Sequence, residues 1–68
     1  MRLKELRKAR HITQLKLAID LNLTQNTISR YENGEREPGI AELLLIADYF
    51  GVSLDYLLGR SNNPKMNL

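Results

Sequence analysis

The sequence contains no cysteine, and this absence limits the kinds of site that it can form. Its 68 residues also include a single histidine, His11. Without thiols the chain can form neither a disulfide framework nor a thiolate zinc site. One imidazole with scattered carboxylates provides neither a metal cluster nor a nucleophile–base pair. We therefore expect no metal, no cofactor and no enzymatic activity, and we interpret His11 as a surface residue at a helix end.

Long apolar segments are missing as well. No run approaches the roughly 20 apolar residues that cross a bilayer. The first ten residues, MRLKELRKAR, lack the apolar core and the small-residue cleavage site of a secretory signal. We therefore expect no membrane association and a cytoplasmic location. A chain of this length suits one small domain.

The charged residues are unevenly distributed along the chain. Residues 1–30 contain seven basic and two acidic side chains, a net charge of +5, whereas residues 31–59 contain one basic and six acidic side chains, a net charge of −5. Only the first part suits a polyanion such as nucleic acid. Charge alone fits an ordinary solvated surface equally well.

Capping residues and apolar spacing predict an all-α fold. Thr13, Thr24 and Ser53 can each cap a following helix, and Asn22 and Gly51 suit the left-handed position at a helix end. Apolar residues at i, i+3, i+4 spacing predict helices at residues 2–10, 14–21, 25–32 and 54–58. A further helix is marked by Ile40, Leu43, Leu44, Ala47 and Phe50. The domain is therefore expected to cover residues 1–59, and the aperiodic RSNNPKMNL at residues 60–68 is expected to be a flexible tail.

The segment Thr13 to Gly34, TQLKLAIDLNLTQNTISRYENG, reads as two short helices joined by a tight turn. Its pattern TQ..LA..L.LT...ISRYENG is followed by EP and then by LL.IAD.F.VSLDYLLG. With these motifs the chain resembles the Cro and phage-repressor type of helix-turn-helix domain, also called the xenobiotic-response-element family. The resemblance implies a compact, five-helix, lambda-repressor-like domain with the helix-turn-helix at helices 2 and 3. It also implies a transcriptional regulator, of repressor type, whose third helix lies in the major groove of double-stranded DNA.

On a helical wheel, the polar residues of the third helix lie opposite Ile28 and Tyr31. Amide side chains can read adenine and a guanidinium can read guanine, so the residues expected to contact bases are Gln25, Asn26, Ser29 and Arg30. The residues expected to contact the DNA backbone are Thr13, Gln14, Thr24, Thr27, Asn33 and Arg36. The roles of Asn33 and Arg36 rest on the resemblance, and Glu35 and Glu37 depart from the Lys-rich loop that is usual in the family.

Two further expectations come from the resemblance. Arg7 and Glu32 match a pair that bridges the first and third helices in related repressors, so we expect a partly buried, structural salt bridge. The usual dimer surface of the family lies near the fifth helix, here Leu54, Tyr56, Leu57 and Leu58. Because a helix-turn-helix monomer reads few bases, we expect a homodimer on a two-fold symmetric operator.

Apolar residues also occur where the family usually has charged ones. The positions are Leu15 and Ile19 on the second helix and Ala41, Leu45 and Tyr49 on the fourth. Scattered exposed apolar residues need no explanation, whereas a contiguous patch would indicate a partner surface. The alternative to a DNA-binding regulator is therefore an antitoxin-like or other protein-interaction module that uses these side chains.

Overall fold

The computed structural model, which describes residues 1–65, contains five α-helices. They are α1 (Leu3–Ala9), α2 (Gln14–Leu21), α3 (Gln25–Glu32), α4 (Ile40–Phe50) and α5 (Leu54–Leu57). No strand occurs among these residues. The predicted all-α, five-helix fold is confirmed, and the bounds of α2 and α3 agree with the prediction residue for residue.

Local hydrogen bonds set where the helices begin and end. The hydroxyls of Thr13, Thr24 and Ser53 accept the backbone N–H groups of the third residue into α2, α3 and α5, at 3.0, 3.1 and 3.0 Å. Asn22 and Gly51 end α2 and α4 in the left-handed conformation, with φ of 57° and 64°. These are the residues that the sequence predicts as caps, because they satisfy backbone groups that a helix leaves unpaired at its ends.

The five helices share one apolar core. It consists of Leu3, Leu17, Ala18, Ile28, Tyr31, Leu43, Ile46, Ala47, Phe50, Val52 and Leu57. Two residues predicted to mark the inner side of α4 are instead exposed, Ile40 at 68% and Leu44 at 49%. Since α4 is apolar on several sides, spacing alone did not identify the buried one, which consists of Leu43, Ile46, Ala47 and Phe50.

The described part of the segment after α5 lies against the start of that helix. The Ser53 backbone N–H donates to the Pro64 carbonyl at 2.9 Å, and the Ser53 hydroxyl donates to the Asn63 carbonyl at 3.3 Å. The Arg2 guanidinium donates to the Ser61 carbonyl at 3.3 Å. Residues 66–68 of the predicted tail lie outside the described residues, and the flexibility of residues 60–68 stays a prediction.

His11 has a backbone conformation that a side chain disfavours. Its φ is 56° in the turn between α1 and α2, and its side chain is exposed. An L-residue in this conformation is strained by about 1–2 kcal/mol, and glycine would remove that strain. Part of the gain in stability is offset because glycine also increases the conformational entropy of the unfolded chain. We expect His11→Gly to raise the free energy of unfolding by about 0.5–1 kcal/mol in urea titrations followed by circular dichroism. His11→Val is the opposite control and should be less stable than the wild type; a glycine variant without any gain would contradict the prediction.

Candidate nucleic-acid interface

Helix α3 has one buried and one exposed side. Ile28 and Tyr31 are buried in the core. Gln25, Asn26 and Arg30 lie on the other side of the helix and are exposed. Within residues 1–65, no hydrogen bond or ion pair engages their amide or guanidinium groups. Three of the four residues predicted to contact bases therefore present free polar groups to solvent.

The remaining predicted residues on and after α3 are in more varied surroundings. Ser29 is half-buried, and its hydroxyl lies 3.5 Å from the Asn33 amide nitrogen. That nitrogen also lies 3.5 Å from a Glu35 carboxylate oxygen, so both contacts are long and weak. Arg36 is exposed and lines a cavity of about 330 Å³ beside the loop between α3 and α4. The Glu35 carboxylate places negative charge next to the predicted Asn33 contact.

The first turns of α2 and α3 combine free backbone donors with an absence of acidic side chains. Thr13 and Thr24 are engaged as caps, and the Thr24 hydroxyl also lies 2.8 Å from that of Thr27. A cap satisfies one of the N–H groups at a helix start, and the others remain without an intrahelical partner. Those N–H groups and the partial positive charge of the helix end suit an anion such as phosphate.

A buried carboxylate connects α1, α2 and the end of α3. The Glu32 side chain is 1% exposed and accepts two hydrogen bonds from Arg7, Nε to Oε2 at 2.6 Å and Nη2 to Oε1 at 3.1 Å. The Gln14 amide nitrogen donates to the same Oε1 at 3.1 Å. Burial alone would raise the pKa of the Glu32 carboxyl, but the hydrogen bonds from Arg7 and Gln14 outweigh it, so this pKa lies below its usual range. Glu32 therefore stays charged at neutral pH.

A second polar cluster ties α4 to α2. The Tyr49 hydroxyl donates to Asp20 Oδ2 at 2.6 Å, and Lys16 Nζ donates to Asp20 Oδ1 at 3.0 Å. These two bonds, that of Tyr49 first, lower the pKa of Asp20. The i, i+4 spacing of Lys16 and Asp20 can be recognised in the sequence. The contact between Asp20 and Tyr49 cannot, because these residues are 29 positions apart. Half-buried Tyr49 is thus held by α2.

The same end of α4 is capped by an arginine from the end of α1. The Arg10 guanidinium donates to the carbonyls of Tyr49 and Phe50, at 3.0 and 2.9 Å. It also lies over the two aromatic rings, 5.7 and 5.0 Å from their centres. A cation at a helix carboxyl end is favourable. Arg10 therefore links the end of α1 to the end of α4, whereas the sequence analysis counted it only as one of the basic residues.

The apolar residues predicted to form a dimer or partner surface divide into three groups. Leu15, Ile19, Leu45 and Leu58 are exposed. Leu54, Tyr56 and Tyr49 are half-buried. Leu57 is fully buried, because its side chain packs into the core, and its inclusion in an exposed surface was wrong.

The described residues provide no evidence for two other kinds of site. No group of three His, Cys, Asp or Glu side chains in residues 1–65 is arranged to hold a metal ion. None of the five helices has the length and apolar content needed to cross a membrane.

Comparison with known proteins identifies the family. A helix-turn-helix family model matches residues 3–57. The chain is 41% identical over 66 residues to the HTH-type transcriptional regulator ImmR of Bacillus subtilis, which covers 97% of this chain and 52% of ImmR. It is 37% identical over 59 residues to the cryptic phage CTXphi transcriptional repressor RstR of Vibrio cholerae, with 87% and 53% covered.

A third relative is named for a different role. The antitoxin PezA of Streptococcus pneumoniae is 35% identical over 64 residues, which cover 91% of this chain and 40% of PezA. The chain spans about half the length of the regulators that it matches. No solved structure gave a significant match. Because the family model covers all five helices, the chain belongs to the helix-turn-helix family, in its Cro/C1 type.

Proposed function

We propose that this chain is the DNA-binding part of a transcriptional repressor that acts in the cytoplasm and places α3 in the major groove of its operator. The observation that supports this best is the two-sidedness of α3. Ile28 and Tyr31 fix one side in the core, while the amides of Gln25 and Asn26 and the guanidinium of Arg30 face solvent. These are the chemical groups that read base edges. The names of ImmR and RstR support a regulatory role.

Each base-contacting residue has a role set by its hydrogen-bonding groups. Gln25 and Asn26 can each read adenine, because an amide offers one donor and one acceptor to N7 and N6. Arg30 can donate two hydrogen bonds to guanine O6 and N7. Ser29 is half-buried and has a short side chain, so it can contact a base only where that base lies close to α3. Gln25, at the start of α3, enters the groove first.

The remaining contacts hold the domain on the DNA backbone. Thr13 and Gln14 at the start of α2, and Thr24 and Thr27 at the start of α3, surround the free backbone N–H groups that suit phosphate. Asn33 and Arg36 would extend this contact into the loop after α3, where the Glu35 carboxylate weakens it.

The repressor would bind as a homodimer on a two-fold symmetric operator. One recognition helix reads too few base pairs for a specific site, so a second copy on an adjacent half-site is needed. Leu58 is exposed directly after α5, Leu54 and Tyr56 are half-buried within α5, and α4 exposes Ile40 and Leu44. These apolar side chains suit an interface between two copies.

Selection of bound sequences from a random pool of duplexes, at near-physiological salt, tests this function. A wild-type protein that reads DNA as a dimer should enrich an inverted repeat. The absence of any enriched sequence would contradict the proposal.

Arg30→Ala provides the residue-level prediction. We expect it to weaken binding to the selected operator by about 1–3 kcal/mol and to relax the preference at one base pair of each half-site. Arg60→Ala is the matched control, since it also removes one exposed positive charge but lies outside α2 and α3. Affinities measured on the operator and on a random duplex separate the two effects. An equal loss on both duplexes for Arg30→Ala would show that it does not read a base.

A protein-interaction module is the second candidate, favoured by the resemblance to the antitoxin PezA and by the exposure of Leu15, Ile19 and Leu45. The two functions respond differently to salt. Binding that neutralises several phosphates weakens steeply as salt rises, whereas apolar pairing between proteins changes little. A salt titration of each binding reaction therefore distinguishes them.

A further inference from the structure

The start of α2 and the end of α3 are joined by a side-chain hydrogen bond. Gln14 is the first residue of α2 and Glu32 is the last residue of α3. Gln14 Nε2 lies 3.1 Å from Glu32 Oε1, and Gln14 is half-buried. At the opposite end, the two helices are connected covalently through the turn at residues 22–24. Helices α2 and α3 are thus connected at both ends.

The hydrogen bond between Gln14 and Glu32 holds the end of α3 that is farther from the turn. An eight-residue helix is about 12 Å long, so a tilt of about 5° at the turn moves its other end by about 1 Å. A base contact needs its donor and acceptor within about 2.7–3.2 Å, and such a shift would break it. Arg30 lies two residues before Glu32, whereas Gln25 and Asn26 lie beside the turn.

The Gln14 amide has a hydrogen left after it donates to Glu32, because an amide nitrogen carries two. We propose that Gln14 is a positioning residue, which links the DNA backbone contact at the start of α2 to the carboxylate at the end of α3 and so sets the register of Arg30 on its base. This inference rests on the proposed function. A residue that merely touches phosphate would weaken binding to all sequences alike.

Gln14→Met is the informative variant, since methionine has a similar length and cannot donate a hydrogen bond. Glu32 keeps both bonds from Arg7, so we expect this variant to fold. In the random-duplex selection, the preference at the base pair that Arg30→Ala relaxes should fall by about threefold or more, which is within the range of coupling between residues of one network. The preferences assigned to Gln25 and Asn26 should remain.

Arg36→Ala is the matched control, because Arg36 is a proposed backbone contact in an exposed loop with no hydrogen bond to α3 from its side chain within residues 1–65. It should lower all affinities and leave every base preference unchanged. The same pattern for Gln14→Met would overturn the inference, and so would an equal relaxation at every position or no change at all.

A measurement without DNA keeps the inference separate from the proposed function. Gln14→Met removes one of the hydrogen bonds that stabilise the charged form of Glu32, so the Glu32 titration followed by NMR should move to higher pH. An unmoved titration would show that the Gln14–Glu32 bond does not form in solution. If the wild type enriches no sequence, the proposed function fails, and this titration still decides whether Gln14 holds the end of α3.

Discussion

We expect Arg7→Met to lower the free energy of unfolding by about 3–5 kcal/mol, the cost of breaking a buried ion pair from one side. The Glu32 side chain is 1% exposed, and the side chain of its bidentate partner Arg7 is 11% exposed. Without Arg7, the carboxylate keeps only the bond from Gln14, and the Ile12 carbonyl loses its 2.9 Å donor. A small domain has a total stability of about 5–15 kcal/mol, so this loss is a large fraction of the total. Urea titration followed by circular dichroism measures the loss.

Two comparisons show that the loss comes from the buried charge. Arg60→Met removes a guanidinium that is exposed and should cost less than about 0.5 kcal/mol. Arg7→Met combined with Glu32→Leu should recover much of the stability, because no unpaired charge is left in the interior. If Arg7→Met is as mild as Arg60→Met, the ion pair does not support the fold.

The same ion pair gives the sign of the pH dependence. The pKa of Glu32 is lowered in the folded protein, so its contribution to stability is present above its unfolded pKa, about 4.3, and is lost as pH falls through the folded pKa. In Arg7→Met the buried carboxylate prefers its neutral form. The difference in stability between wild type and variant should therefore narrow as the pH falls from the raised Glu32 pKa of the variant to the lowered Glu32 pKa of the wild type.

The sequence predicted the helices best where short polar residues end them. Thr13, Asn22 and Thr24 act through hydrogen bonds to groups within four residues, so their effect can be recognised from neighbouring letters alone. The bounds of α2 and α3 followed from them. The arc of polar residues on α3 could also be predicted, because a helix repeats every 3.6 residues.

The prediction failed where distant residues decide the outcome. Helix α4 has overlapping apolar stripes, which include exposed Ile40 and Leu44 as well as the buried set beginning with Leu43. Only packing against the other helices selects one of these stripes. The bond from Gln14 to Glu32 and that from Tyr49 to Asp20 join residues 18 and 29 positions apart. No periodicity connects such pairs. The free polar groups of α3 were therefore predictable, and the Arg7–Glu32 pair was predicted from the family resemblance, whereas the bonds made by Gln14 and Tyr49 were not.

The second large loss of stability is expected when a buried residue that packs α3 against the core is truncated. Ile28 is 0% exposed and, with Tyr31, is one of the two apolar residues of α3 that are buried in the core. Replacing a buried isoleucine with alanine costs about 2–5 kcal/mol, through lost burial and the cavity that remains. We therefore expect Ile28→Ala to lose about this much stability in urea titrations. Its affinity for the selected operator should fall as well, because the recognition helix loses half of its buried anchors.

Ile19→Ala makes the same chemical change on the neighbouring helix, where the side chain is 66% exposed. Its free energy of unfolding should stay within about 0.5 kcal/mol of the wild type, since an exposed isoleucine gains little from the core. Its operator affinity should be unchanged as well if α3 is the reading surface. A loss of protein-partner binding in Ile19→Ala, with stability and operator affinity intact, would instead assign the exposed side of α2 to the second candidate function. If Ile28→Ala and Ile19→Ala are equally stable, the packing of α3 against the core is not the one described.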